Sequence, residues 1–510
     1  MVVTSRSTLG RFARNGTMRR AGVSYSSNDV NGEMVFSSLP FVCVFLPAVV
    51  GLYFALPRAA NNLVLVVASY AFYGWGDPVA LLLLMPSVAV NFQAGRFIDR
   101  AVGAPRHQLI SAAIALNLFV LIVFKYSDFI LANVNFLLGE VSLWQVPLPH
   151  LTLPLGLSFF TFHIISYLVD VYRGTQRAQQ SPLAFTLYII NFPQLIAGPI
   201  IRYSQIADQL GKRKVTLDDI DTGILRFSTG LAKKLFLANP IGVIADQIFA
   251  LPSSNLSVTA IWFGAVSYAL QIYFDFSGYS DMAIGIARIF GFRFPENFNY
   301  PYSAISIQDF WRRWHMTLSA WFRDYVYIPL GGNRFGPWKT ARNLWLVFLL
   351  CGAWHGASWT FILWGLWHGL FLWFERLKVV NHLLLRCPRA IRNAYAVLIV
   401  LVGWVLFRAD SLQHAMAFIG RMFGIVGVGP QLLPLTQFTS IPMLILIVAA
   451  SFLAFPLWPA IKPAWPGLTE RGSGSAVGDV LSAGYVGTVM ALSLATMAAN
   501  QQNPFLYFRF

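Results

Sequence analysis

Residues 344–374 read LWLVFLLCGAWHGASWTFILWGLWHGLFLWF, 31 residues without a formal charge. Drawn as one straight helix at 1.5 Å per residue, this run would extend about 46 Å, against a hydrocarbon core of about 30 Å. It must break, bend or tilt steeply. The weakest point is CGAWHGAS, where Gly352, Gly356 and Ser358 cluster, since glycine disfavours a helix more than any residue except proline. A break there places His355 beside irregular backbone, well below the membrane surface. A second Trp-His-Gly follows at 367–369. Within one helix the imidazoles of His355 and His368 would stand roughly 140° and about 20 Å apart, so they do not share a site. His355 is the functional candidate. His368, close to the Glu375–Arg376 boundary, reads as a hydrogen-bonded interfacial histidine.

The rest of the chain has the same apolar character. Of 510 residues, 56% are hydrophobic and 11% charged, where a soluble protein carries about 25% charged residues. Apolar runs recur from Val35–Leu56 to Val480–Ala498. Some are shorter than a span and others are broken, which gives an expectation of about ten transmembrane helices plus re-entrant or interfacial ones. Lipid satisfies no backbone hydrogen bond, so spanning elements are helices or a closed barrel, and continuous runs without period-two alternation exclude the barrel. The expected class is an all-α polytopic membrane bundle.

The formal net charge of +16 resides in short connections, among them Lys212–Lys214, Lys339–Arg342 and Arg386–Arg392. Cytoplasmic loops carry such an excess, so it reads as membrane orientation rather than nucleic-acid binding; attraction of an anionic cytoplasmic ligand is the other reading. Residues 1–33 are rich in Arg and Ser and lack an apolar core, so they are no secretory signal. They read as a transit-like or disordered tail, or as an extension ahead of a start at Met34. Residues 34–510 form a single membrane domain.

The least membrane-like part, residues 273–336, mixes aromatics with Asp, Arg, Asn and Gly. Irregular backbone at membrane depth survives only when buried in protein or lining a wet cavity, so a cavity is expected here. His315, in DFWRRWHMTL, is the second histidine candidate. Arg312, Arg313, Arg323 and Arg334 either anchor phosphates or mark an interface. Asp275 and Asp281 either line the cavity or pair with a nearby Arg such as Arg288. The sequence holds no G-x-S-x-G, P-loop, H-E-x-x-H or C-x-x-C, Cys43, Cys351 and Cys387 form no pairing pattern, and no metal-ligand spacing is found. Burial favours an uncharged imidazole that can accept a hydroxyl proton. A transporter using the same wet cavity, or a scaffold of a polymer-export complex, would fit the residues as well.

Ordered motifs along nearly the whole chain carry a resemblance. They include PLGLSFFTFHIISYLVDVYRG at 154–174, NFPQLIAGPIIRY at 191–203, GLAKKLFLAN at 230–239, YFDFSGYSDMAIGIARIFGF at 273–292, WRRWH at 311–315, GAWHGA at 352–357 and the terminal NPFLYFRF. Through them the sequence resembles the membrane-bound O-acyltransferases, in particular their alginate O-acetyltransferase branch. The resemblance implies a helical bundle with a central funnel or tunnel, His355 as catalytic residue and His315 as its support. It implies acetyl-CoA or a similar acyl thioester as donor substrate, with no permanently bound cofactor, and Arg312 and Arg313 as candidates for the donor's phosphates. It also implies a bacterial inner-membrane location, a periplasmic SGNH-hydrolase-like partner and a polysaccharide as final acceptor.

Overall fold

The computed structural model describes residues 35–141, 144–425, 427, 429, 432–457 and 476–499. The tail at 1–33 and the terminal motif at 503–510 lie outside them. The described residues form helices and no strand; one isolated bridge joins Leu256 to Leu433. In chain order the helices are α1 (Leu46–Ala55), α2 (Asn61–Gly76), α3 (Leu81–Arg100), α4 (Ala104–Glu140), α5 (Leu157–Arg173), α6 (Pro182–Ile190), α7 (Phe192–Leu195), α8 (Tyr203–Gly211), α9 (Leu217–Ala232) and α10 (Asn239–Phe249). There follow α11 (Val258–Ile289), α12 (Ile307–Trp311), α13 (Met316–Phe322), α14 (Pro337–His355), α15 (Trp359–Phe374), α16 (Lys378–Arg386), α17 (Arg389–Arg408), α18 (Leu412–Met422), α19 (Ile441–Leu453) and α20 (Ala476–Ala499).

Four of these, α3, α4, α17 and α20, are long and apolar enough to cross a bilayer, and three shorter apolar helices run over Phe41–Ala55, Trp359–Phe374 and Ile441–Leu453. The helices do not coincide with the apolar runs of the sequence. The run at 183–200 splits at Asn191 into α6 and α7. The run at 258–274 continues through Asp275 and Asp281 to make α11.

That long, charged helix is the axis of the bundle, buried along most of its length. It accepts α9 at backbone distance because glycines face each other at two levels. A Cβ on Gly223 would lie 2.7 Å from the Gly285 carbonyl oxygen, and one on Gly230 would lie 2.5 Å from that of Gly278. Small residues at such positions let membrane helices approach closely. Close approach also brings opposite charges together. Lys234, in the π-helical turn that follows α9, pairs with Asp275 at 2.5 Å, both buried. Asp281 takes Lys233 at 2.6 Å and Arg226 at 2.7 Å. The expected partner Arg288 instead meets Asp219 at 3.2 Å, because the close α9–α11 packing brings Arg226 of α9, and Lys233 and Lys234 of the turn after it, to the two aspartates.

The decisive run at 344–374 does break, and there the chain turns back on itself. α14 ends at His355, Gly356 is extended, and α15 starts after Ser358. The two helices pack against one another as a hairpin. A Cβ on Gly352 would lie 2.3 Å from the Phe361 carbonyl oxygen, and one on Gly365 would lie 2.1 Å from that of Phe348. Gly365→Ala is therefore expected to lower the thermal midpoint of the detergent-solubilised protein, by the equivalent of about 1–3 kcal/mol. Gly51→Ala, at a helix position with nothing within 4 Å, is expected to leave it unchanged or slightly raised. A melting curve of each variant checks both.

Candidate functional site

A helix end leaves its last carbonyls without intrahelical partners, and at the end of α14 these belong to the residues around His355. Two side chains of α4 take them up. The Lys125 ammonium donates to the carbonyl of Trp354 and, at 3.2 Å, to that of His355, while the Tyr126 hydroxyl donates to the carbonyl of Ala353. A cation at a helix C-terminus also meets the negative end of the helix dipole.

The His355 side chain is buried in a box of aromatic rings. Trp354, Trp364 and Phe407 stand nearly perpendicular to it, with centroids 4.8, 5.0 and 5.2 Å away. Trp364 comes from α15 and Phe407 from α17, so three helices enclose one imidazole.

His315 approaches from the turn between α12 and α13. Its backbone is left-handed (φ 43°), a conformation that costs a bulky residue of order 1–3 kcal/mol and persists only where the surroundings impose it. Asn297 is what imposes it. Its backbone carbonyl accepts the Met316 N–H at 2.9 Å, and its side-chain oxygen accepts the Thr317 hydroxyl at 2.9 Å. The Thr317 backbone N–H, which can only donate, meets the same side-chain atom of Asn297 at 3.4 Å. The atom of Asn297 facing it is thus the amide oxygen, and its NH2 points to Ser280 Oγ at 3.1 Å. His315 Nδ1 lies 3.0 Å from the same amide oxygen, which can only accept, so Nδ1 carries the hydrogen and Nε2 keeps a lone pair. Nε2 is buried with no hydrogen-bond partner among the described residues.

Both histidines lie against the Trp354 indole, His355 at 4.8 Å and His315 at 6.2 Å between ring centroids. Phe276 of α11 closes the far side of His315 at 4.7 Å. The structure thus brings the two sequence candidates to one indole ring. Arg312 and Arg313 lie on the turn just before His315: Arg312 is exposed, while Arg313 pairs with Asp309 at 2.9 Å. Arg323 pairs with Asp324, which also receives Arg202. Among the described residues, no three His, Cys, Asp or Glu side chains group as metal ligands would.

The reading of His368 as hydrogen-bonded is corrected. Its ring is fully buried, and neither nitrogen has a hydrogen-bond partner among the described residues. It packs against Trp311 and Trp364, each at 5.2 Å, and stacks on Phe310 at 6.1 Å. The single-helix spacing of the two histidines also falls, because the chain reverses between them and both rings contact Trp364. Lys125, Asn297 and the aromatic walls escaped the sequence reading. The one available signal was Lys125 itself, a lysine in the middle of a largely apolar helix.

Comparison with known proteins adds to this geometry. The family model described as MBOAT, membrane-bound O-acyltransferase family, matches residues 125–412. The chain is 40% identical to a probable alginate O-acetylase of Pseudomonas putida, over 94% of this chain and all of that protein. It is 38% identical to a peptidoglycan O-acetyltransferase of Helicobacter pylori, over 78% of this chain and 81% of that one. A teichoic acid D-alanyltransferase of Bacillus subtilis is 33% identical over 40% of this chain and 54% of its own length.

The difference between the two Trp-His-Gly histidines is testable. His368→Phe keeps an aromatic ring of similar shape and removes two unpartnered buried nitrogens, a replacement expected to be neutral or stabilising. Its thermal midpoint should be unchanged or higher, and its acyl-transfer rate within about threefold of the parent.

Proposed function

Because the chain belongs to the membrane-bound O-acyltransferase family, we propose that this membrane O-acyltransferase moves an acetyl group from a cytoplasmic thioester, acetyl-CoA or a close analogue, to a hydroxyl acceptor held at His355. His355 accepts the acceptor's proton as its oxygen attacks the thioester carbonyl. The carbon–sulfur bond breaks, and the proton leaves with the thiolate as thiol. The observation that carries this reading is that His355, at an opened helix end, and His315, with a fixed tautomer, share the Trp354 indole.

The tautomer supports one of the two supporting roles open to His315. A lone pair at Nε2 accepts a hydrogen bond from a hydroxyl but cannot donate one to a thioester carbonyl, so His315 orients the acceptor. Arg312, exposed beside it, and Arg313 would meet the donor's phosphates. The relatives' names, with two O-acetyl transferases among them, support acetyl as the group and alginate or a related exopolysaccharide as the destination. The acetyl group would cross the bacterial inner membrane to a periplasmic SGNH-hydrolase-like transferase that places it on the polymer.

His355→Ala, with membrane insertion verified, is expected to lower turnover of a radiolabelled acetyl thioester and acetylation of the polymer at least about a hundredfold. Undiminished acetylation would reject the assignment.

A further inference from the structure

Helix α4 exposes most of its side chains and has Ile110, Asn117 and Leu121 as its buried residues. Yet one stripe of it is fastened to the break in the 344–374 run. Lys125 and Tyr126 hold the carbonyls that end α14. One turn on, Phe129 packs on the ring of Trp359, and a turn further Asn133 accepts the Trp359 indole N–H at 3.0 Å. Residues 125, 129 and 133 are spaced by four, so they line one face of the helix. The last residue of α14 and the first of α15 are thus tied to a third helix.

A lysine inside a membrane-spanning helix is costly and marks a functional position, with its partner named. Here the partners are the carbonyls of Trp354 and His355, and the ammonium also lies 6.0 Å from the centroid of the Trp354 indole. Trp354 is the ring that both histidines touch.

We propose that Lys125 is a positioning residue for acyl transfer: by holding the Trp354 and His355 carbonyls, with Tyr126 on that of Ala353, it sets where the last turn of α14 presents the His355 imidazole. The inference rests on His355 being the base. A freed last turn would unwind or rotate, and a misplacement of about 1 Å at a reacting group costs up to a hundredfold in rate.

The test uses the full-length protein in detergent or nanodiscs, with acetyl-CoA as donor, and the variants Lys125→Met, Lys125→Arg, Tyr126→Phe and His355→Ala. Lys125→Met is expected to lower kcat roughly ten- to a hundredfold with donor KM within about threefold. Lys125→Arg, which can still donate to both carbonyls, should recover most of the loss, and Tyr126→Phe should lose a few-fold in kcat. A role in fold stability alone would lower yield and thermal midpoint without this split between kcat and KM. A folded Lys125→Met with wild-type kcat overturns the inference. So does a Lys125→Met that fails to insert beside a folded Tyr126→Phe with wild-type kcat. Should His355→Ala itself remain active, the base assignment fails, whatever the Lys125 variants do; should it be inactive while Lys125→Met is not, only the positioning role fails.

Discussion

No backbone carbonyl can be left open in hydrocarbon without a cost of several kcal/mol, and much of this structure answers that constraint at one point. The chain ends a helix at His355, deep in the apolar run, and must find partners for the carbonyls released there. It finds them in an ammonium and a phenol of α4. With the carbonyls satisfied, the backbone can turn through extended Gly356 and Ser358 and send α15 back along α14. Glycines at 352 and 365 let the returning helix lie backbone to backbone against the outgoing one. The reversal carries Trp364 to the face of His355. The box around the imidazole thus follows from the break, and the break from its caps.

The same economy governs the second histidine. Asn297 meets the turn at 315–317 with both its backbone carbonyl and its side chain, and each contact removes a degree of freedom. The backbone of His315 is held left-handed, its Nδ1 is committed, and only Nε2 remains. Local strain of this kind persists when several contacts determine it together. The buried carboxylates of α11 follow suit, since glycine contacts with α9 bring Lys233, Lys234 and Arg226 within reach of Asp281 and Asp275.

Length and polarity made the membrane class and the break at CGAWHGAS readable, because both are one-dimensional properties: too many apolar residues for one span, and glycines where the run can yield. The direction of the chain after the break is not one-dimensional. Gly352 and Gly365 are thirteen residues apart and become neighbours only once the helix reverses, so a single-helix projection put His355 and His368 far apart. Lys125 follows directly on the apolar stretch 109–124, and α4 continues past it to Glu140. Asn297 lay in NFNYP with no periodicity to mark it. The choice of Lys234 for Asp275 depends on how close α9 comes, which the sequence carries only as two well-spaced glycines.

The two Trp-His-Gly triplets show why composition alone does not make a site. Gly356 leaves the helix, so His355 stands at an open end beside backbone that is fastened from outside. Gly369 stays within α15, where a Cβ would lie 3.3 Å from that of Phe348, so His368 remains mid-helix with its ring closed in on every side. Its Nε2 would lie 2.9 Å from a Cβ on Gly403, which means that α17 occupies the space a substrate would need. An imidazole can take a proton only from a group that can reach it. Identical triplets thus differ in what the backbone does after the histidine. Trp364 is in contact with both rings, the one at the end of α14 and the one inside α15.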